Sequence, residues 1–248
     1  TMGNVDLSKV SFFVLDEADR MLDMGFHEDI LSIAKLLPSN CQTIMFSATM
    51  PSKIEDLAKN ILKSPSIIKL AVSKPAEKIK QLACVCHENQ KEKVLKDIFK
   101  QCGQKRVIIF SSSKIKVKEI NKTLRLSNIN SGEMHSDLMQ SQRDEVMYLF
   151  KSGQIDVLVA TDIVARGIDI DDISMVINYD VPHDSEDYVH RIGRTARADH
   201  DGIAITLVRG KEISKFMQIE QFLGHEVEKI PLPKGLGKAP EYKATEPR

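Results

Sequence analysis

Val107-Ile108-Ile109-Phe110 is apolar at every position and is followed at once by Ser111-Ser112-Ser113. An unbroken apolar run of strand length marks a strand covered on both faces, as in a parallel sheet sandwiched by helices. Outward from it, similar runs recur at residues 10–15, 42–46, 67–70, 156–160, 175–179 and 203–208. Between them lie stretches with helical patterning at 28–37, 53–62, 91–101, Lys114–Leu126, Gln140–Lys151 and 210–222. Strands alternating with helices predict an α/β fold built on a parallel sheet. Within Lys114–Leu126, Val117, Ile120 and Leu124 share one face while Lys114, Lys118, Lys122 and Arg125 share the other. That basic stripe reads either as a solvated face or as a nucleic-acid contact.

Lys plus Arg and Asp plus Glu both number 35 in 248 residues, so the net charge is zero. Nucleic-acid binding by bulk charge is thereby excluded, while a local basic groove is not. Trp is absent and aromatics are 5%, which argues against a stacking platform of aromatic rings. No apolar run is long enough to span a membrane, and the start, Thr1 to Asp6, lacks the basic and apolar regions of a secretory signal. Cysteines are sparse: Cys41, Cys84, Cys86 and Cys102. Cys84-Val85-Cys86-His87 reads as a metal site or as strand packing; the missing second ligand pair favours packing. A reducing, cytoplasmic setting is expected.

The polar, proline-bearing stretch at 73–76 is the expected linker between a front unit, 1–72, and a second unit, 77–230; 231–248 reads as an extended tail. The front unit offers about three strands and two helices, too few to cover a sheet on both sides. The second offers a complete α/β domain.

Ligands of an open parallel sheet bind beyond the carboxyl ends of its strands. Asp16-Glu17-Ala18-Asp19 stands there, directly after the apolar run 10–15. Such carboxylates can hold Mg²⁺ and orient a water toward a phosphate, or can simply open a helix for dipole reasons. Ser47-Ala48-Thr49 follows the run 42–46, where hydroxyls can cap a helix or relay contacts to the acids. Thr161-Asp162 leads into Arg166-Gly167-Ile168-Asp169, and His190-Arg191-Ile192-Gly193-Arg194-Thr195-Ala196-Arg197 follows. The last run alone reads equally as a solvated charge cluster; the order of the whole set is what carries information.

That ordered set resembles the motifs of the DEAD-box ATP-dependent RNA helicases, over residues 1–230. Asp16 to Asp19 is the named box, Ser47 to Thr49 the third motif, Ile108 to Phe110 the strand of the fourth, Gln140-Ser141-Gln142-Arg143 the Gln-x-x-Arg motif, Ala160 to Asp169 the fifth and His190 to Arg197 the sixth. Residues 21–26 and 230–233 resemble the bacterial RhlE-like branch. The resemblance implies two RecA-like α/β domains, the second complete and the first partial, closing over ATP and Mg²⁺ while gripping single-stranded RNA or a short duplex through sequence-independent backbone contacts. It implies Asp16 on Mg²⁺, Glu17 activating the attacking water, and Asp19 meeting Ser47, Thr49 and His190 to couple the two domains. It further implies Arg194 and Arg197 as arginine fingers on the γ-phosphate, Gly167 and Asp169 at the nucleotide with Asp169 on its ribose, and Arg143, Thr161 and Ser111 on RNA.

Two departures qualify this. No Gly-x-x-x-x-Gly-Lys-[Ser/Thr] occurs, since Gly210-Lys211 and Gly237-Lys238 are followed by Glu212 and Ala239. The chain therefore reads as the C-terminal part of such a helicase, expected to be inactive as an ATPase by itself. His135-Ser136-Asp137 carries serine where the family usually has glycine, which puts an RNA contact there in doubt. The rival readings are a non-catalytic RNA-binding or protein-docking RecA-like module, and a DNA-directed helicase.

Overall fold

Phe12–Leu15 (β1) and Gln42–Met45 (β2) pair in parallel, with Leu15 opposite Met45. In the computed structural model, which describes residues 5–69, 78–102, 106–162, 173–195 and 201–243, these strands belong to the first of two units, Thr1–Ser73 and Lys74–Arg248. Helices α1 (Ala18–Asp23), α2 (His27–Ala34) and α3 (Ser52–Ile61) complete the first unit. Leu15, Ala18, Ile30, Ile54, Leu57 and Ile61 form its core. Phe12 and Val14, alternating with the inward residues of β1, are exposed. Where the sequence suggested three strands and two helices, the described residues form two strands and three helices. The apolar run 67–70 makes no strand over its described part: Ile67 and Ile68 are exposed, and no strand among the described residues pairs with them to take up their backbone bonds. The expected linker, 73–76, lies outside the described residues.

The second unit is built on one parallel sheet of seven strands: β3 (Ile79–Val85), β4 (Val107–Phe110), β5 (Ser131–Met134), β6 (Val157–Ala160), β7 (Met175–Asn178), β8 (Gly202–Val208) and β9 (Glu228–Ile230). Their spatial order is β5-β6-β4-β7-β8-β3-β9, so β4 lies inside the sheet. Its α-helices among the described residues are α4 (Lys91–Cys102), α5 (Lys114–Leu126), α6 (Gln140–Lys151), α7 (Ser185–Ile192) and α8 (Ile213–Leu223). The apolar run Val107–Phe110 serves both faces. Val107 and Ile109 pack with Val94, Leu95 and Ile98 of α4 and Val117, Ile120 and Leu124 of α5. Ile108 and Phe110 pack on the other face with Phe150 of α6. Each such fully buried aliphatic side chain contributes about 1.5–3 kcal/mol, and β4, β6 and β7 bury every residue.

β3 is announced only by the strand-packing reading of Cys84 to His87, and three further elements of this unit match none of the strand or helix stretches picked out in the sequence. β5, Ser-Gly-Glu-Met, is an edge strand whose Gly132 lies so close to its neighbour that a Cβ would stand 2.9 Å from Ile155 Cδ1. Edge strand β9 is held by backbone pairing to β3. Helix α7 starts where the Asp184 carboxylate accepts from the Asp187 N–H at 2.7 Å and stops at Gly193.

The tail after Pro231 has no helix or strand over its described residues, yet it is packed rather than free. Leu232 and Leu236 lie against the α4-side core and Tyr242 against the opposite one. Gln90 donates to Leu236 O at 2.7 Å and to Lys238 O at 3.3 Å. Prolines and glycines exclude regular structure there, while the apolar residues between them still seek burial.

Candidate functional site

The acidic box turns sharply at the carboxyl end of β1. Glu17 adopts a left-handed conformation, φ 50° and ψ 48°, and Ala18 begins α1 with its N–H on Phe46 O at 2.9 Å. A non-glycine residue held there costs roughly 1–3 kcal/mol, and such strain collects at functional sites. The turn sorts the acids. Asp16 is exposed and Glu17 half-buried, whereas Asp19 is buried. Asp19 Oδ2 accepts both the N–H and the hydroxyl of Thr49, each at 2.9 Å, and Oδ1 accepts Arg20 N–H at 3.0 Å. Ser47 Oγ accepts Asp19 N–H at 3.3 Å and donates to Thr49 O at 2.7 Å. Burial alone would raise the Asp19 carboxyl, but the donors from Thr49 and Arg20 outweigh it and hold the group below its ordinary value. The structure thus brings Asp19, Ser47 and Thr49 together and leaves Asp16 and Glu17 open to a ligand. Both are hard oxygen donors on a strand end, a set that fits Mg²⁺.

In the second unit the candidate residues gather at the carboxyl ends of β4 to β7. Thr161, half-buried, follows β6 and donates its N–H to Met134 O at 3.2 Å. Arg143, on α6, reaches Ser136 O at 3.2 Å; its Nε is buried with no partner among the described residues. Ser136 itself is exposed and does not need glycine's left-handed backbone. His190 and Arg194 lie at the end of α7 and just beyond it, both half-buried. Gly167, Asp169 and Arg197 lie outside the described residues.

Ser111 is placed differently from a ligand-facing residue. It is 0% exposed, and its hydroxyl donates to Asp180 Oδ2 at 2.9 Å. Asp180, at the carboxyl end of β7, also accepts Ser112 N–H (2.9 Å) and Ser112 Oγ (3.0 Å) on Oδ2, and Lys91 Nζ (3.0 Å) and Lys116 Nζ (2.9 Å) on Oδ1. Burial would raise this carboxyl; Lys91, Lys116 and the Ser112 N–H outweigh it and push it far below the carboxylate range.

Arg191 stands within the sixth motif, but the sequence reading gave it no role of its own. It is 4% exposed and grips Asp162 with both arms of its fork, Nε to Oδ1 at 2.6 Å and Nη2 to Oδ2 at 2.7 Å. Nη1 donates to Asn178 Oδ1 (3.2 Å) and Asp180 O (3.0 Å), and the guanidinium lies 5.2 Å from the Phe110 ring centroid. An arginine beside a glycine and two further arginines was visible in the sequence; that it turns inward was not.

The basic stripe of α5 is partly neutralised: Lys114 and Lys118 close on the two oxygens of Asp137 at 2.7 and 3.0 Å, holding that carboxyl at about 2. Cys84 and Cys86 are buried in the sheet core, and no metal-binding cluster of His, Cys, Asp and Glu occurs among the described residues. No helix among them is long and apolar enough to cross a membrane.

Comparison with known proteins bears on this arrangement. Residues 1–57 match the DEAD/DEAH box helicase family and residues 90–199 the helicase conserved C-terminal domain. The chain is 42% identical over 216 residues to the ATP-dependent RNA helicase CshA of Listeria monocytogenes, covering 87% of this chain and 42% of that protein. It is 39% identical over 232 residues to DbpA of Bacillus subtilis, an ATP-dependent RNA helicase, covering 93% of this chain and 48% of that one. It therefore spans about half the length of the curated relatives it matches. Among solved structures, S. cerevisiae Dbp5 bound to RNA and ADP BeF3 superposes with a TM-score of 0.83 at 33% identity, over 91% of this chain and 61% of that one. The E. coli DEAD-box protein SrmB, bound to regulator of ribonuclease activity A, gives 0.60 at 32% identity, over 68% of this chain and 97% of that one. With both family models in the expected order and a DEAD-box structure covered almost end to end, this α/β, RecA-like chain belongs to the DEAD-box helicases.

Proposed function

We propose that the protein carrying this chain is an ATP-dependent RNA helicase that couples nucleotide hydrolysis to local remodelling of RNA. The observation that carries the reading is the division within the acidic box: Asp16 and Glu17 reach solvent while Asp19 is consumed by Thr49. In this reading Asp16 holds Mg²⁺ and Glu17 orients the attacking water. The ion supplies charge neutralisation on the phosphates when bound. Asp19 stays with Ser47 and Thr49 and engages His190 during turnover. Arg194 and Arg197 serve the γ-phosphate, a role typically contributing about 10³–10⁵ in rate, and Gly167 and Asp169 serve the nucleotide and its ribose. Thr161 and Arg143 meet RNA phosphates, so binding is salt-sensitive and indifferent to sequence. A cytoplasmic location is part of the reading, supported by the free, buried thiols of Cys41, Cys84 and Cys86. The RhlE-like affinity rests on residues 21–26 and 230–233.

A second reading, a non-catalytic RNA-binding module, is favoured for these 248 residues taken alone by the absence of a Gly-x-x-x-x-Gly-Lys-[Ser/Thr] loop among them. Two measurements test the primary reading. The chain should bind labelled single-stranded RNA, with affinity falling as salt rises. In the protein that carries it, Arg194→Ala should cut RNA-stimulated ATP turnover by at least about a hundredfold. Turnover unchanged by that substitution rejects the proposal.

A further inference from the structure

Lys91, the first residue of α4, shares the inward face of the helix with Val94, Leu95 and Ile98, and although charged it is 0% exposed. Its ammonium donates to Asp180 Oδ1 at 3.0 Å and Tyr179 O at 2.5 Å, and lies 4.9 Å from the Tyr179 ring centroid. Burying such a pair is a poor way to gain stability, because desolvation of both charges consumes most of their attraction; well-packed apolar residues do as well or better. What a buried, fully bonded pair does supply is a fixed geometry.

The geometry here reaches the segments that matter for the proposed function. Through its carboxylate, Asp180 holds Ser111 and Ser112, the turn between β4 and α5, and Ser113 caps α5 by accepting Lys116 N–H at 3.3 Å. Through its backbone carbonyl, Asp180 accepts Arg191 Nη1 at 3.0 Å. Arg191 in turn fixes Asp162, the neighbour of Thr161, and its own carbonyl accepts Arg194 N–H at 3.2 Å. One residue thereby anchors the serine turn, the Thr161 segment and the base of Arg194.

We infer that Asp180, locked by Lys91, is a positioning residue for RNA binding: it touches no RNA but sets the relative places of the Ser111–Ser112 turn, Thr161 and the Arg191–Arg194 segment. The inference rests on the RNA-binding reading above. It also gives Ser111 a different part, as a buried strut of the turn.

The test is fluorescence anisotropy of a short fluorescein-labelled oligouridylate with the full chain, beside thermal melting of each variant. Asp180→Asn replaces two acceptor oxygens by one and removes the buried carboxylate from Lys91, leaving it Tyr179 O and the more distant Glu88 Oε2 at 3.7 Å, so both stability and affinity should fall. In Lys91→Met/Asp180→Asn no buried charge is left unpaired, and the melting temperature should recover while RNA affinity stays about tenfold weaker. Affinity that returns with the melting temperature overturns the inference, since the pair would then act through stability alone. Ser111→Ala, too conservative to unfold the chain and too buried to touch RNA, should weaken binding by about threefold; unchanged affinity also overturns it. A wild-type chain that binds no RNA overturns the underlying reading and this inference with it. A wild-type chain that binds, alongside variants that bind equally, overturns the inference only.

Discussion

Thr49 directs two donors, its backbone N–H and its hydroxyl, onto a single oxygen of Asp19, each at 2.9 Å. The two residues are 30 positions apart, and this pair ties the turn after β1 to the turn after β2. Thr49→Val deletes only the hydroxyl and should destabilise the first unit by about 1–2 kcal/mol, read from urea unfolding of the full chain. The pH dependence carries a definite sign. Asp19 titrates below its ordinary value of 3.8, so its stabilisation is complete above that range and disappears as pH falls through the lower folded value. Melting temperatures between neutral and acid pH should therefore converge for wild type and Thr49→Val; a constant gap would contradict this.

Arg191 should tolerate neither loss nor conservative exchange. Arg191→Met leaves Asp162 without its bidentate partner and should cost about 3–5 kcal/mol. Arg191→Lys keeps the charge but loses the planar fork and the Phe110 stacking, with an intermediate cost of about 2 kcal/mol. Denaturant midpoints of the two variants would show the order; equal stability of Arg191→Lys and wild type would refute it.

The packed tail gives a local prediction. Gln90→Ala removes the donor to Leu236 O and Lys238 O and also the acceptor for His87 N–H at 2.8 Å. Hydrogen exchange in residues 232–243 should accelerate by at least about tenfold, while exchange in β4 and β7 stays unchanged. A tail whose protection is indifferent to Gln90 would show that apolar packing alone holds it.

Cys84 and Cys86 should resist alkylation. Burial, reinforced by Asp97, pushes the Cys84 thiol up to about 11. Burial, with Cys84 as the next contributor, pushes Cys86 up to about 12. At pH 8 the thiolate fraction of either is then about one in a thousand or less, so iodoacetamide should label both only after unfolding, as peptide mass mapping would show. Rapid native labelling at either position would disprove their placement in the sheet core.

Much of this molecule was legible from local pattern. The unbroken apolar run of β4 identified a strand covered on both faces, and the bounds of α5 and α6 followed from their periodicity, because burial of one stripe or two faces imposes a repeat on neighbouring residues. The acidic box, Ser47 to Thr49 and the His190 run were legible too, since their residue types stand at strand ends where ligands bind. Pairing across long separations was not. Lys91 meets Asp180 across 89 positions and Ser111 meets Asp180 across 69. The period of α4 puts Lys91 on the face of Val94 and Leu95, but no period in the chain encodes which partner takes its charge, that a serine after a strand is buried, or that a tail rich in proline folds back onto Gln90. Those outcomes depend on which polar groups the assembled sheet strands together away from water, where each must find a partner. Composition sets how many such groups exist; only the tertiary arrangement decides which of them meet.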